Sequence, residues 1–384
     1  MDFRLTEEQI ELVAAAHRFG TSVFMRRNMG RWRKTKGLPD EVVKGFADLF
    51  FSDDASLASR GNGNYSLLDK ALIVEELSRC AGCSLPFQND LFNMEIMEEF
   101  ADAENFKTTM EEYRRTGRLM FALAVSEPGA GSDLKNLKTY TKTTNGKVLL
   151  NGMKTYVDNG EYAPYIVVAA IDEDCESDDR HPSLGFWFLP RTLKGIKAVP
   201  ISKVGQEMLP FASLSFKDVE LDQAYRLPGG SFPHLYKMLE FGRVFICASS
   251  LGMAQAAMDD AVAYAAQRDQ FGQRICEFQQ IQEMLTDMEV SLTNMRLLLY
   301  RAAWEIDVKG DDRRLAAALL KRYVPKAATD VASNAIQIMG GKGYTDAERV
   351  GQIWQDCRGN QIAEGTDQIM CYIAAPLIMN KYGA

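Results

Sequence analysis

A carboxylate, a glycine and two helix-capping residues stand together at Glu364-Gly365-Thr366-Asp367. A glutamate in such a turn can act as a base held above a substrate, with Thr366 or Asp367 opening a last helix. Far upstream, Pro128-Gly129-Ala130-Gly131-Ser132-Asp133 is a turn with little side-chain bulk. Its backbone N–H groups can cradle a phosphate or the edge of a flat cofactor. It is not a Walker loop, because no Gly-Lys-Ser/Thr follows, and no GxGxxG opens a helix there. Arg268-Asp269-Gln270-Phe271-Gly272 offers an arginine that can clamp a pyrophosphate, or simply a surface arginine. Gly340-Gly341-Lys342-Gly343 reads as the cap of a helix ending at Met339.

Other chemistries are poorly supplied. The three histidines, His17, His181 and His234, are far apart in sequence, which disfavours Ser-His and Cys-His nucleophile systems. Seven cysteines at irregular spacing make no disulfide framework. Cys80-Ala81-Gly82-Cys83 has no second pair, so helix-end cysteines are expected and no metal. A formal net charge of -8 argues against nucleic acid. No run of 18 apolar residues spans a membrane. Met1-Asp2-Phe3-Arg4 lacks the apolar core of a signal peptide, so a cytoplasmic location is expected.

The elements that must position these residues fall into three blocks of the 384-residue chain. Residues 1–118 read as helical, starting from the capping box Thr6-Glu7-Glu8-Gln9. Leu38-Pro39-Asp40-Glu41 opens a further helix, Ser52 to Tyr65 is a Gly-rich loop, and Ser66–Leu77 and Asn89–Phe106 are helical. Residues 119–230 alternate strand runs with turn signals: Leu119–Val125, Thr139–Thr143, Lys147–Val157, Tyr165–Ala170, Leu184–Leu189 and Leu214–Phe216. Such spacing predicts a small β barrel or sandwich, with the acidic stretch Ile171–Arg180 as a solvated hairpin loop. Residues 231–384 are helical again. Ile281, Leu285, Met288, Leu292, Met295 and Leu299 recur at spacings of 4 and 3, a seam suited to a four-helix bundle. Asp311 to Met339 predicts another helix, kinked at Pro325. The fold class is thus mainly α with a central β domain.

Five motifs occur in one order: Ala124–Asp133, Asn151-Gly152-Met153-Lys154, Arg268–Gly272, Gln337-Ile338-Met339-Gly340-Gly341 and Glu364-Gly365-Thr366. Together they closely resemble the acyl-CoA dehydrogenase family, over essentially the whole chain. Met1-Asp2-Phe3, Pro164–Val168 and Ala302-Ala303-Trp304 are similar to the bacterial branch containing crotonobetainyl-CoA reductase. The resemblance implies Glu364 as catalytic base and FAD between the β domain and the C-terminal helices. It implies that the segment from Leu123 to Ser132, including Val125, Ser126 and Gly131, lines the flavin. Ser132 also contacts the CoA thioester, and Tyr156, Val157 and Asp158 lie beside the isoalloxazine. Arg268, Phe271, Phe278, Gln279, Gln337, Ile338, Gly340 and Gly341 are implied to reach the FAD of a neighbouring subunit. Thr366 and Gln368 hold its phosphate or ribose, and Glu240, Arg243 and Gly365 serve the CoA ligand. It further implies an acyl-CoA substrate, electron-transfer flavoprotein as partner, and a homotetramer built as a dimer of dimers. The same fold also admits enoyl-CoA reduction, a flavin oxidase or monooxygenase, or a degenerate binding subunit.

Some family members carry the base on an earlier helix, just before the matching arginine; Gly242 stands there and cannot serve. Four further departures stand out. Tyr156-Val157-Asp158 replaces the usual aromatic-Ile-Thr, placing a carboxylate where a hydroxyl approaches the flavin. The usual Pro-Glu-Glu-x-Gly-Gly stretch is missing near Ser52–Ser56, so chain-length preference does not carry over. Gln355 precedes Asp356 where arginine is common, and Glu240 stands for an aspartate.

Overall fold

The computed structural model describes residues 4–51, 65–100, 102–118, 120–175 and 182–383. The first helical layer comprises α1 (Glu7–Val23), α2 (Arg26–Thr35), α3 (Asp40–Phe51), α4 (Leu67–Ala81), α5 (Phe87–Phe100) and α6 (Ala103–Thr116). The expected Thr6 capping box is formed: Gln9 N donates to Thr6 Oγ1 at 3.2 Å and Thr6 N donates to Gln9 Oε1 at 3.1 Å. Asn89–Phe106 is not one helix. Asp102 caps a new one, accepting from Asn105 N at 2.9 Å, so the chain restarts as α6. The expected loop at Ser52–Tyr65 lies almost wholly outside the described residues, as does much of the acidic stretch.

The middle of the chain contributes β1 (Ala122–Ala124), β2 (Tyr140–Thr144), β3 (Lys147–Asp158), β4 (Tyr165–Asp172), β5 (Leu184–Pro190), β6 (Ile196–Ile201) and β7 (Phe211–Leu221). They form one seven-stranded sheet. Among the described residues of the expected Leu119–Val125 strand, only Ala122–Ala124 pair, parallel to β4. Asn145 and Gly146 both have positive φ, 54° and 78°, the backbone a two-residue β2–β3 hairpin needs. β4 is buried on both faces. Ile166, Val168 and Ala170 enter the core of the sheet, while Val167 and Ala169 enter the core of the helices. That double burial explains its unbroken apolar run.

The second helical layer comprises α7 (Phe232–Ala265), α8 (Gln279–Asp307), α9 (Arg313–Met339), α10 (Val350–Asn360) and α11 (Asp367–Lys381). Between α7 and α8 sits a minimal hairpin, Asp269–Gln270 paired with Gln273–Arg274. The α8 seam is real: Met288, Leu292, Met295 and Leu299 are all buried. The helix through Pro325 begins two residues later than expected, at Arg313, and is continuous to Met339.

Both helical layers contribute to one large apolar core, which holds Ala71, Ile73 and Leu77 of α4 beside Val244, Ala248 and Leu251 of α7; a smaller cluster joins Leu315 and Ala318 of α9 to Met370 and Ala374 of α11. α4 and α7 approach so closely that a Cβ at Gly252 would lie 2.0 Å from the Glu75 carbonyl oxygen. Backbone cannot yield there as a side chain can. Gly252→Ala is therefore expected to destabilise the protein by about 3 kcal/mol, the upper end for overpacking, read as a lower Tm in thermal unfolding. An unchanged Tm would show that the two helices can part without cost.

Candidate active site

Glu364 lies on the short link between α10 and α11. Its φ is +56° and that of Gly365 is +95°. Two successive left-handed residues reverse the chain sharply, and the first of them is strained because it carries a Cβ. Thr366 then caps α11, its Oγ1 accepting from Ile369 N at 3.3 Å. Two buried cations hold the link by its backbone. Arg243 of α7 donates from Nε to the Glu364 carbonyl at 3.3 Å, and Lys321 of α9 donates from Nζ to the Gly365 carbonyl at 3.0 Å. Both cations are thus engaged by the backbone of the link as well as lying near its carboxylate.

The residue as a whole is half-buried, but Glu364 Oε2 is closed off from solvent and has no hydrogen-bond partner. It points at Gly242 of α7, where a Cβ would lie 2.5 Å from Oε2. Burial pushes the Glu364 carboxyl up to about 7; the charge of Asp158 raises it further, while Arg243 and Lys321 oppose the rise. A carboxyl so placed exchanges a proton near neutrality, the range a general base needs.

Asp158 ends β3 beyond an irregularity in its pairing with β7, where Tyr156 has φ +57°. Its Oδ1 is also buried without a partner. Burial raises it to about 6, against Lys203 and a hydrogen bond from Asn89. Tyr156 stands 63% exposed, so a planar group could lie on it, whereas the Val157 side chain packs inside the sheet. Val157 can therefore offer only backbone to a ligand.

The glycine turn is fixed from behind. Glu127 is buried and accepts from Lys138 N at 2.6 Å, Thr139 N at 2.9 Å and Lys154 Nζ at 2.8 Å. Lys154 also donates to the Val125 carbonyl at 2.8 Å, and burial lowers its pKa to about 8 despite Glu127. Ahead of this anchor Gly131 and Ser132 are exposed, and a Cβ at Gly129 or Gly131 would meet nothing within 4 Å. Leu123 and Ser126 are half-buried and Val125 is buried.

Arg268, Phe271, Gln279, Gln337, Gly340 and Gly341 are exposed, Phe271 at 95%. Phe278 packs edge-on against Phe271 at 6.2 Å, and Ile338 is buried. Gly340 caps α9 with φ +59°, as the capping reading required. On α11, Gln368 is exposed and Thr366 half-buried, with Asp367 Oδ1 buried and unpartnered between them. Glu240 is buried and faces Arg313 at 3.6 Å, while Arg243 turns to the Glu364 link.

Lys321 was not foreseen as part of this site. Its signal was present: it shares a helical stripe with Ala317, Val324 and Ala328, all buried, and a lysine there must find a partner.

Comparison with known proteins identifies the family. Residues 122–219 match the acyl-CoA dehydrogenase middle domain and residues 232–378 the acyl-CoA dehydrogenase C-terminal domain. The chain belongs to the acyl-CoA dehydrogenase family, whose members are flavin-dependent oxidoreductases acting on CH–CH groups. It is 47% identical to an acyl-CoA dehydrogenase of known structure from Slackia heliotrinireducens DSM 20476, with a TM-score of 0.87 over 100% of this chain and 99% of that one. It is 34% identical to the probable acyl-CoA dehydrogenase YdiO of Escherichia coli K12, over 100% of this chain and 99% of the relative. A structure described as electron transferring flavoprotein of Acidaminococcus fermentans matches at 26% identity and TM-score 0.89, over 99% of this chain and 100% of that one. Among the described residues no helix is long and apolar enough to cross a membrane.

Proposed function

We propose that this chain oxidises an acyl-CoA thioester to the enoyl-CoA, with Glu364 taking the α-proton. The observation that carries this is the Glu364 carboxyl, closed off and unpartnered against Gly242 while its loop is held by Arg243 and Lys321. The α-hydrogen of a thioester is only weakly acidic, so charge developing on the thioester oxygen needs a hydrogen-bond donor; the backbone N–H of Glu364 is the donor we assign. Ser132, Glu240, Arg243 and Gly365 are assigned to the CoA ligand. Anaerobic titration with a panel of short, branched, aromatic and carnitine-like acyl-CoAs tests the reading. One of them bleaches the flavin; a protein that binds FAD but is bleached by none would overturn it.

FAD fits the residues present. The open space over Gly129 and Gly131, the exposed Tyr156 ring and the buried, unpartnered Oδ1 of Asp158 leave room and a polar contact for a large flat ligand. Leu123, Val125, Ser126, Gly131, Ser132, Tyr156, Val157 and Asp158 would line it, with Thr366 and Gln368 at the start of α11 for its phosphate or ribose. Arg268, Phe271, Phe278, Gln279, Gln337, Ile338, Gly340 and Gly341 would meet the FAD of a second subunit, which accounts for the exposure of Phe271 in one chain. When bound, FAD supplies hydride acceptance from the β-carbon. A homotetramer, with electron-transfer flavoprotein as redox partner and a cytoplasmic setting, completes the reading. The A. fermentans likeness supports the partner.

Protonation of Glu364 sets a pH profile. The base must be ionised to act, and its carboxyl titrates at about 7. The flavin-reduction rate in stopped flow should therefore rise with pH below about 7 and level above it. Neutralising Asp158 removes a charge that raises Glu364, so Asp158→Thr moves the rising limb to lower pH. An unmoved limb would remove Asp158 from the site.

Asp158 also favours a second reading, the reduction of an enoyl-CoA. A buried carboxylate beside the flavin opposes negative charge on the reduced form and lowers its potential. Asp158→Thr is then expected to raise the midpoint potential by about 30 mV or more, equivalent to about 1.4 kcal/mol for two electrons. No change in potential argues for the oxidative direction alone.

A further inference from the structure

Away from Glu364, α1 and α4 bring together three groups that the function above does not use. His17 Nδ1 lies 2.7 Å from Glu76 Oε1. Cys80 Sγ lies 3.9 Å from His17 Nδ1 and 3.7 Å from Glu76 Oε1. The three ligand atoms all fall within 4.8 Å of one another. The helices fix this arrangement. Glu76 and Cys80 are one turn apart on the same face of α4. Gly20, three residues after His17 on α1, has no side chain, and a Cβ there would lie 2.7 Å from both Cβ and Sγ of Cys80. The missing Cβ is what allows Cys80 to press against α1 and meet His17.

We propose that His17 Nδ1, Glu76 Oε1 and Cys80 Sγ bind one divalent metal ion of the zinc class, with a water molecule as fourth ligand.

Imidazole, carboxylate and thiolate together are a donor set that suits zinc. With bond lengths of about 2.0–2.3 Å, tetrahedral edges are about 3.3–3.6 Å long. The two edges to sulfur are already near that length. The His17–Glu76 edge has to open by about half an ångström, which a half-exposed imidazole can do by rotating. The same exposure leaves the fourth position open to water. Arg79 does not block the site: it lies 3.8 Å from the other oxygen of Glu76, and its Nε is committed to Asp259 at 2.8 Å. The Cys80 thiol is protonated at neutral pH before it ligates, because burial and then the Glu76 charge push it up to about 12. Binding is therefore an exchange of one thiol proton for one metal ion, with no change of oxidation state. Cys83 takes no part: Gly82 ends α4, and Cys83 is buried elsewhere in the core.

The consequence of binding is a staple between α1 and α4. Chelator-treated full-length protein with its flavin retained is titrated with Zn²⁺ by calorimetry, and the loaded protein is examined by X-ray absorption. One equivalent per chain is expected, with release of about one proton at neutral pH and a single sulfur at about 2.3 Å. His17→Ala and Cys80→Ser should each weaken binding by at least about tenfold, and Zn²⁺ should raise the Tm of the parent but of neither variant. His17 is half-exposed, so its variant tests the site even if Cys80→Ser disturbs the helix contact. Absence of a one-to-one complex overturns the proposal. So does a sulfur shell that survives Cys80→Ser, which would place the ion on one of the exposed thiols, Cys175 or Cys371.

Discussion

Glu364→Gln is expected to slow flavin bleaching by acyl-CoA by about 10³-fold or more and to leave FAD bound. The amide keeps the size and the left-handed turn of the native residue but cannot accept the α-proton. Its backbone remains tied to Arg243, and Gly365 to Lys321, so the link should not move. Nor does the substitution remove any hydrogen bond from the carboxyl end, since Oε2 has none. Stability is expected to be unchanged or improved, because a neutral amide replaces a buried acid with two cations nearby only at the level of long-range charge. The decisive measurement is the rapid-mixing rate with the best acyl-CoA from the panel. Bleaching at the parent rate would mean that another group takes the proton.

Gly242→Ala is the second large effect, and it works without touching the base chemically. The added methyl would lie 2.5 Å from Glu364 Oε2 and 2.7 Å from its Cδ. Gly242 sits in the middle of α7, buried on all sides, so the helix cannot retreat. The flexible end of Glu364 must give way instead. A displacement of about 1 Å at a reacting group costs about 10²-fold in rate. The expected result is a loss of that order in the reduction rate, with ordinary FAD content and an almost unchanged Tm, since alanine suits a helix interior better than glycine. Full activity would show that the carboxyl used in catalysis is not in the position seen here.

Much of this was legible because it is local. The Thr6 capping box, the Asn145-Gly146 hairpin and the Thr366 cap each depend on a few neighbouring residues. Glu364 and the gap at Gly242 were legible from ordered motifs. What escaped depends on tertiary contact or on competing signals. α2 is dense in arginine and lysine, and only Met29 and Trp32 are buried, so its apolar face is two residues wide. β6 carries Pro200 and has no fully buried residue, as suits a strand at the edge of the sheet. Lys321 stands on an apolar stripe of α9, but its partner, the Gly365 carbonyl, is 44 residues away and is set only by tertiary packing. His17 and Cys80 are 63 residues apart in sequence, and their imidazole and thiol meet only because two helices pack through a glycine. Phe271 and Gln337 show the reverse case: motif residues whose proposed partner lies on another chain.

The common core of the two helical layers bears on how the chain is made. α4 is buried along nearly its whole length, including Lys70 and Glu75, and much of that burial is against α7 and α8. Those helices leave the ribosome only after the entire sheet has been synthesised. Until then the nascent N-terminal segment carries an apolar surface with nothing to cover it, a state prone to aggregation. Productive folding of the first third of the polypeptide must therefore await the last, and a ribosome-stalled fragment ending before Phe232 should depend on a holdase chaperone to remain in solution.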